Sequence, residues 1–179
     1  DGAGNKYLDF PAGMAVNSLG DAHPEWVRAV AEQAAKVAHT SNYCATEPQI
    51  ELARKLVDIA GAGPGSHVYF GNSGAEGNEA ALKLARLYGR TLPNSSAQFG
   101  GKPARVLSLK NGFPGRTMGA LSATWKPSIR TPFEPMLPAF EFVDPRNPTG
   151  LSDAFARTGQ GPYGEGPVAA VIMELIQGE

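Results

Sequence analysis

The stretch from His67 to Arg90, HVYFGNSGAEGNEAALKLARLYGR, constrains this chain more than any other. His67-Val68-Tyr69-Phe70 is a short apolar, β-favouring run bounded by glycine, and it predicts a strand. Gly71 to Ala75 is a turn of small residues. From Glu76 to Tyr88 the spacing predicts a helix with Ala81, Leu84, Ala85 and Tyr88 on one face. Strand, glycine turn and helix in succession aim free backbone N–H groups and the positive end of a helix dipole at an anion. Gly74 would let the backbone come close, Ser73 could add a hydroxyl donor, and the expected anion is a phosphate. The competing reading is an ordinary α/β turn in which glycine only permits the bend. The loop has neither the Lys-Ser/Thr ending of a nucleoside-triphosphate loop nor Gly-x-Gly-x-x-Gly spacing, so a small cofactor carrying a single phosphate fits better.

The rest of the chain supplies an α/β frame. Gly2 to Phe10 reads as a turn and a short strand, and Pro11 to His23 as irregular. Pro24 opens a helix to about Ala38 with the stripe Val27, Val30, Ala31, Ala34 and Val37. A second helix follows Thr46, with Gln49 completing a capping box and Glu47 complementing the dipole. Ile50, Leu52, Leu56, Val57 and Ile59 mark its buried side, and Gly61 its stop. Thr91 to Pro103 reads as an exposed loop, Val106 to Leu109 as a strand, and Thr117 to Thr124 as a helical turn. Thr131 to Gly166, rich in proline and glycine, is expected to be mostly loop. Pro167 to Ile176, PVAAVIMELI, reads as a strand buried on both faces of a parallel sheet. A doubly wound sheet is not normally finished three residues later, so the sequence is expected to be part of a larger protein. The expected division is 1–62, an N-terminal segment with its helices, and 63–179, a partial large domain.

Composition narrows the function classes. With 179 residues, 42% of them hydrophobic, there is enough for one real core. A net charge of −1 without a basic run disfavours nucleic acid and acidic membrane surfaces. Cys44 is the only cysteine, which rules out a disulfide framework and suits a reducing compartment. No apolar run reaches the roughly 20 residues of a membrane helix. His23, His39 and His67 show no metal spacing.

Asn111 to Thr117 follows the Val106–Leu109 strand, at the end where open α/β sheets place ligand-binding residues. Phe113 there is either a platform for a flat ring or a core plug. Arg116 is either a carboxylate clamp or a solvated charge. Glu174 and Glu179 are either pocket groups or the polar end of the sheet.

Several ordered motifs carry a resemblance: Tyr7-Leu8-Asp9-Phe10, Ala15-Val16-Asn17, His23-Pro24, Thr46-Glu47-Pro48-Gln49, Asn72-Ser73-Gly74-Ala75-Glu76, Phe113 with Gly115-Arg116-Thr117, and Glu174 with Ile176-Gln177-Gly178-Glu179. Together they resemble the class-III (ω-amino) aminotransferases, nearest the branch that works on acetylornithine, ornithine and 4-aminobutyrate. The likeness covers the whole chain but only about the first half of such an enzyme. It implies a partial fold-type-I large domain, a mostly parallel sheet with flanking helices, and pyridoxal 5'-phosphate (PLP) as cofactor. By resemblance, Ser73, Gly74 and Ala75 would bind the phosphate, Phe113 would stack on the pyridine ring, and Glu174 would sit beside the cofactor. Arg116 would hold a substrate carboxylate, and Glu179 would be the switch carboxylate that lets one pocket take both an amino donor and 2-oxoglutarate.

The family's two essential groups, a lysine that carries the cofactor and an aspartate on the pyridine nitrogen, match nothing here. Lys6, Lys36, Lys55, Lys83, Lys102, Lys110 and Lys126 lie in other contexts. No catalytic residue is therefore assigned, and the chain alone is expected to be inactive. Asp21, Gly77, Pro114, Leu175 and Ala45 depart from the family pattern. The expected identity is a fragment of a working aminotransferase of arginine biosynthesis, a homodimer when whole, in a mitochondrion, plastid or bacterial cytoplasm. The alternatives are an inactive relative serving as a structural subunit with other subunits, and a phosphate-binding α/β module of unrelated chemistry.

Overall fold

The computed structural model describes residues 1–92, 104–157 and 166–178. They fall into two compact units, Asp1–Val68 and Tyr69–Glu179.

The first unit carries two helices, α1 (Pro24–Lys36) and α2 (Glu47–Ile59). Pro24 pre-sets the first turn of α1, while Glu25 at its start and Lys36 at its end complement the dipole. Thr46 occupies the N-cap of α2, yet its side chain makes no capping bond, unlike the capping box expected from the sequence. Pro48, at the second helical position, has no N–H, and the hydroxyl does not take up the Gln49 N–H that a capping box would use. The C-terminus follows expectation: Gly61, at φ +59°, donates to Asp58 O at 3.1 Å and Ala62 donates to Val57 O at 3.1 Å, a Schellman end.

Neither helix buries a residue, and Val27, Val30, Ile50, Leu52 and Leu56 all stay exposed, against the buried stripes expected. An amphipathic pattern says that a face seeks cover; it does not supply the cover. Gly2–Phe10 forms no strand and is instead a loop, with the Asp1 carboxylate accepting from the amides of Ala3 and Asn5. Ala12 to Ala15 make one left-handed turn, φ +44° to +66°.

The second unit opens with α3 (Gly74–Gly89), followed by strand β1 (Arg105–Leu109) and the short helix α4 (Met118–Ser122). After two short turns, Pro127–Arg130 and Thr131–Phe133, come strand β2 (Phe140–Val143), helix α5 (Gly150–Ala156) and strand β3 (Val168–Ile172). The strands pair in parallel in the order β2-β1-β3, with Val106 opposite Phe140 and Ala170. Successive β1 residues point to opposite faces. Val106 packs with Leu82 of α3, Ala123 and Phe140, whereas Leu107 packs with Val143 and Ala154 of α5. Both are essentially inaccessible, so β1 is the axis of the core and helices cover both faces of the sheet.

Four sequence expectations are corrected here. His67–Phe70 forms no strand, because no described segment runs beside it to complete a ladder. The proline-rich 131–166 region contains β2 and α5, since pairing with β1 outweighs its local turn chemistry. Leu84 and Tyr88 are exposed; α3 instead packs through Leu82 and Gly89, where a Cβ would collide with Ala104 and meet Ala169 at 3.0 Å. β3 is half-buried rather than enclosed on both faces, being an edge of the described sheet. Most of the loop expected at Thr91–Pro103 lies outside the described residues.

A buried cation staples the amino ends of the strands. Arg105 is 3% exposed and donates to Gly166 O, Ala154 O and Arg157 O, and to Glu141 Oε2 at 2.7 Å. Its burial pushes the guanidinium below its ordinary value, and the four acceptors are what make a charge tolerable there.

Candidate functional site

The carboxyl ends of β1 and β3 and the start of α3 bring the sequence-predicted residues together. Ser73 caps α3 in an extended conformation, its Oγ accepting from the Glu76 N–H at 3.2 Å. The Glu76 carboxylate reaches back to the Asn72 backbone N–H at 2.6 Å and to its side-chain amide at 2.9 Å. This reciprocal arrangement is a capping box displaced by one residue. It leaves the Ser73 hydroxyl hydrogen available to donate. The N–H groups of Gly74 and Ala75 belong to the first turn, where a helix has no internal acceptor, and none accepts from them among the described residues. A Cβ built on Gly74 meets nothing within 4 Å, so the backbone at this helix start is uncrowded on that side.

Beyond β1 the chain turns at Asn111 and Gly112 into the loop bearing Phe113 and Arg116. Phe113 is 40% exposed, so it is no core plug, and the Arg116 guanidinium lies 5.7 Å from its ring centroid. Gly115 fixes where this loop runs. It sits at φ +143°, and a Cβ there would lie 2.9 Å from Ala75 Cβ and 3.1 Å from Ala120 Cβ. Only glycine lets the loop lie this close to the first turn of α3.

Two α3 side chains complete the join. Asn78 Nδ2 donates to Pro114 O at 2.6 Å. Glu79 Oε1 accepts from Thr117 Oγ1 at 2.5 Å, Gly119 N at 2.8 Å and Ala120 N at 3.1 Å. Burial works to raise the Glu79 pKa, but these three donors, with the positive charge of Arg86, prevail and hold it below the usual carboxylate value. From the β3 side, Glu174 accepts from the Phe113 N–H at 2.5 Å and the Gly178 N–H at 3.2 Å. Gln177 donates to Lys110 O at 2.7 Å.

Ser73, Gly74, Ala75, Phe113, Arg116 and Glu174 therefore gather at one end of the sheet, while Glu179 lies outside the described residues. The sequence reading missed Asn78 and Glu79. The signal was present: Glu79 is one helical turn from Ala75 and three residues before the buried Leu82, a carboxylate on the packed stripe. Lys110, the lysine nearest in sequence, is engaged elsewhere, with its ammonium 5.0 Å from the Trp125 ring and 3.7 Å from Asp144. Among the described residues no group of three or more His, Cys, Asp or Glu could hold a metal, and no helix is long and apolar enough to cross a membrane.

The chain resembles known proteins over its whole length. Residues 1–179 match the family described as "Aminotransferase class-III". The chain is 72% identical over 176 residues to the acetylornithine aminotransferase of Bifidobacterium longum, covering 98% of this chain and 41% of that protein. It is 43% identical to the mitochondrial acetylornithine aminotransferase of Alnus glutinosa, covering all of this chain and 37% of that protein. Among solved structures, the ornithine aminotransferase of Toxoplasma gondii superposes with a TM-score of 0.82 at 30% identity, over 99% of this chain and 39% of that one. A second structure of that enzyme, with partial occupancy of PLP at the active site, gives 0.80. The chain thus spans about two fifths of the length of the relatives it matches. With residues 1–179 matched, the chain belongs to the class-III aminotransferase family.

Proposed function

We propose that this chain is the phosphate- and carboxylate-anchoring part of an aminotransferase that moves an amino group from acetylornithine to 2-oxoglutarate, a step of arginine biosynthesis. The observation that carries the proposal is the joining of the open amides of Gly74 and Ala75 to the Arg116 loop through the Ala75–Gly115 contact. The choice of donor is supported by the names of relatives such as those from Bifidobacterium longum and Alnus glutinosa.

Membership of the family implies PLP, and the residues present fit it. Unpaired amides at a helix start suit a phosphate dianion, and nothing crowds Gly74. When bound, the cofactor acts as an electron sink for the carbanion left on removal of a carbon-bound proton. The amides of Gly74 and Ala75 and the Ser73 hydroxyl would hold the phosphate. The exposed face of Phe113 would cover the ring, its backbone fixed by Glu174. Arg116 would take a substrate carboxylate through two parallel N–H donors. Glu179 is proposed as the carboxylate that lets one pocket accept both substrates. Lys110 is committed to Asp144 and Trp125, so the lysine that moves the proton would come from the part of the relatives' length not spanned here. A homodimer is proposed for the whole enzyme, consistent with the uncovered apolar faces of α1 and α2.

The test uses the polypeptide of the relatives' length that contains this chain, loaded with PLP. It should transfer the amino group of acetylornithine to 2-oxoglutarate, and R116A should raise KM for these carboxylate substrates by about tenfold or more. A folded, PLP-treated protein without transfer would favour the inactive structural subunit.

A further inference from the structure

We infer that Glu79, with Asn78 beside it, is a positioning residue that fixes the Arg116 guanidinium at a set distance from the phosphate-facing amides. The inference rests on the carboxylate role proposed above for Arg116. Asn78 and Glu79 are consecutive on α3, and each grips a different side of the same loop. Asn78 holds it at the Pro114 carbonyl, and Glu79 holds it at the Thr117 hydroxyl and the Gly119 and Ala120 amides. Only Gly115 and Arg116 lie between the two grips. Gly115 is itself pressed against Ala75 with no room for a Cβ, and its backbone is in a region other residues rarely adopt. The backbone that carries Arg116 is therefore pinned upstream, downstream and from beneath, each time to the first two turns of the helix whose opening amides have no acceptor among the described residues.

This geometry has a chemical purpose. A ligand anchored by its phosphate at one end and by a carboxylate at the other needs both anchors at one fixed separation. Building both on a single helix keeps that separation independent of loop motion. Glu79 also caps the five-residue α4, and a purely structural role would end there.

The experiment distinguishes the two roles in the PLP-loaded polypeptide of the relatives' length. Glutarate, an unreactive dicarboxylate, is titrated calorimetrically into wild type, E79A, E79Q, N78A and R116A, and the dissociation constant for PLP is measured fluorimetrically on the same set. E79A should weaken glutarate by about tenfold, with PLP affinity unchanged, because hydrogen bonds to a charged group are lost from the loop. E79Q keeps an acceptor oxygen and should recover most of the glutarate affinity, and N78A should show a smaller loss of the same kind. Equal weakening of both ligands, unchanged glutarate binding in E79A, or failure of E79Q to recover it would each overturn the inference. Should E79A fail to fold, T117V removes one of the three donors, and the same split between ligands is required of it. Unchanged glutarate binding in R116A would instead overturn the carboxylate reading, and the inference with it.

Discussion

The two units of this chain were built from equally persuasive sequence patterns and ended with opposite burial. In Tyr69–Glu179 a five-residue strand, β1, is enclosed by its neighbours, and Leu107 is 0% exposed. In Asp1–Val68 two thirteen-residue helices with strong apolar stripes bury no residue. The difference lies in partners. A parallel strand brings its neighbours with it, because the ladder that satisfies its backbone also stacks side chains on both faces. A helix satisfies its own backbone and can form before anything covers its apolar side.

The enclosed unit is most vulnerable at Arg105. Replacing it with leucine leaves the Glu141 carboxylate without its buried partner and orphans three carbonyls. The loss expected on denaturant unfolding is about 3–5 kcal/mol, or a failure to fold. L107A follows, at about 2–5 kcal/mol, from lost burial and the cavity left behind. By contrast, V30A in α1, whose side chain is already half in water, should cost under about 1 kcal/mol in the 179-residue chain. Repeating V30A in the polypeptide of the relatives' length sharpens the point: if the stripe is covered there, the cost should rise toward that of L107A. A V30A cost equal to that of L107A in the short chain would remove the contrast.

Smaller effects come from the cap and from one charge. S73A removes the acceptor for the Glu76 N–H and should cost about 1 kcal/mol, with a matching loss of phosphate affinity. Asp144, at the carboxyl end of β2, accepts from the Arg146 side chain and amide, which pull its pKa from 3.8 to about 2. A carboxylate lowered in the folded state adds stability above its unfolded pKa and loses it as pH falls through the folded one. D144N should therefore flatten the stability curve between about pH 4 and pH 2 while leaving it unchanged in shape at neutral pH. A wild-type curve already flat over that range would contradict the Asp144–Arg146 pairing.

What could be read in the sequence was what depends on neighbours along the chain. Helices α1, α2 and α3 and strands β1 and β3 were legible because period and punctuation are local. The Gly61 stop was legible for the same reason. β2 was not: Phe140-Glu141-Phe142-Val143 is too short and too flanked by proline to declare itself, and it exists because Val106 to Leu109 lie beside it. His67–Phe70 shows the converse, strand-forming residues with no described partner. The site divides in the same way. Ser73 to Ala75 stand out by their setting between a turn and a helix, whereas Phe113 and Arg116 each left two readings open until the family resemblance assigned them roles. Glu79 shows in the sequence only as a carboxylate in line with Ala75 and Leu82, and its partner, the Thr117 loop 38 residues away, appears only once the chain is folded. Glu174, expected by resemblance beside the cofactor, also holds two backbone amides with its two carboxylate oxygens, a role that no spacing encodes.

If the amides at the start of α3 form an anion receptor, one pair of ligands should reveal it. PLP and pyridoxal differ only in the phosphate, so the ratio of their dissociation constants isolates it. The polypeptide of the relatives' length should prefer PLP on the order of 100-fold, as expected for charge-assisted bonds from two amides and a hydroxyl. G74D, which sets a carboxylate at the amides' door, should erase most of that preference. Equal affinity for the two ligands, or a preference untouched by G74D, would contradict the claim.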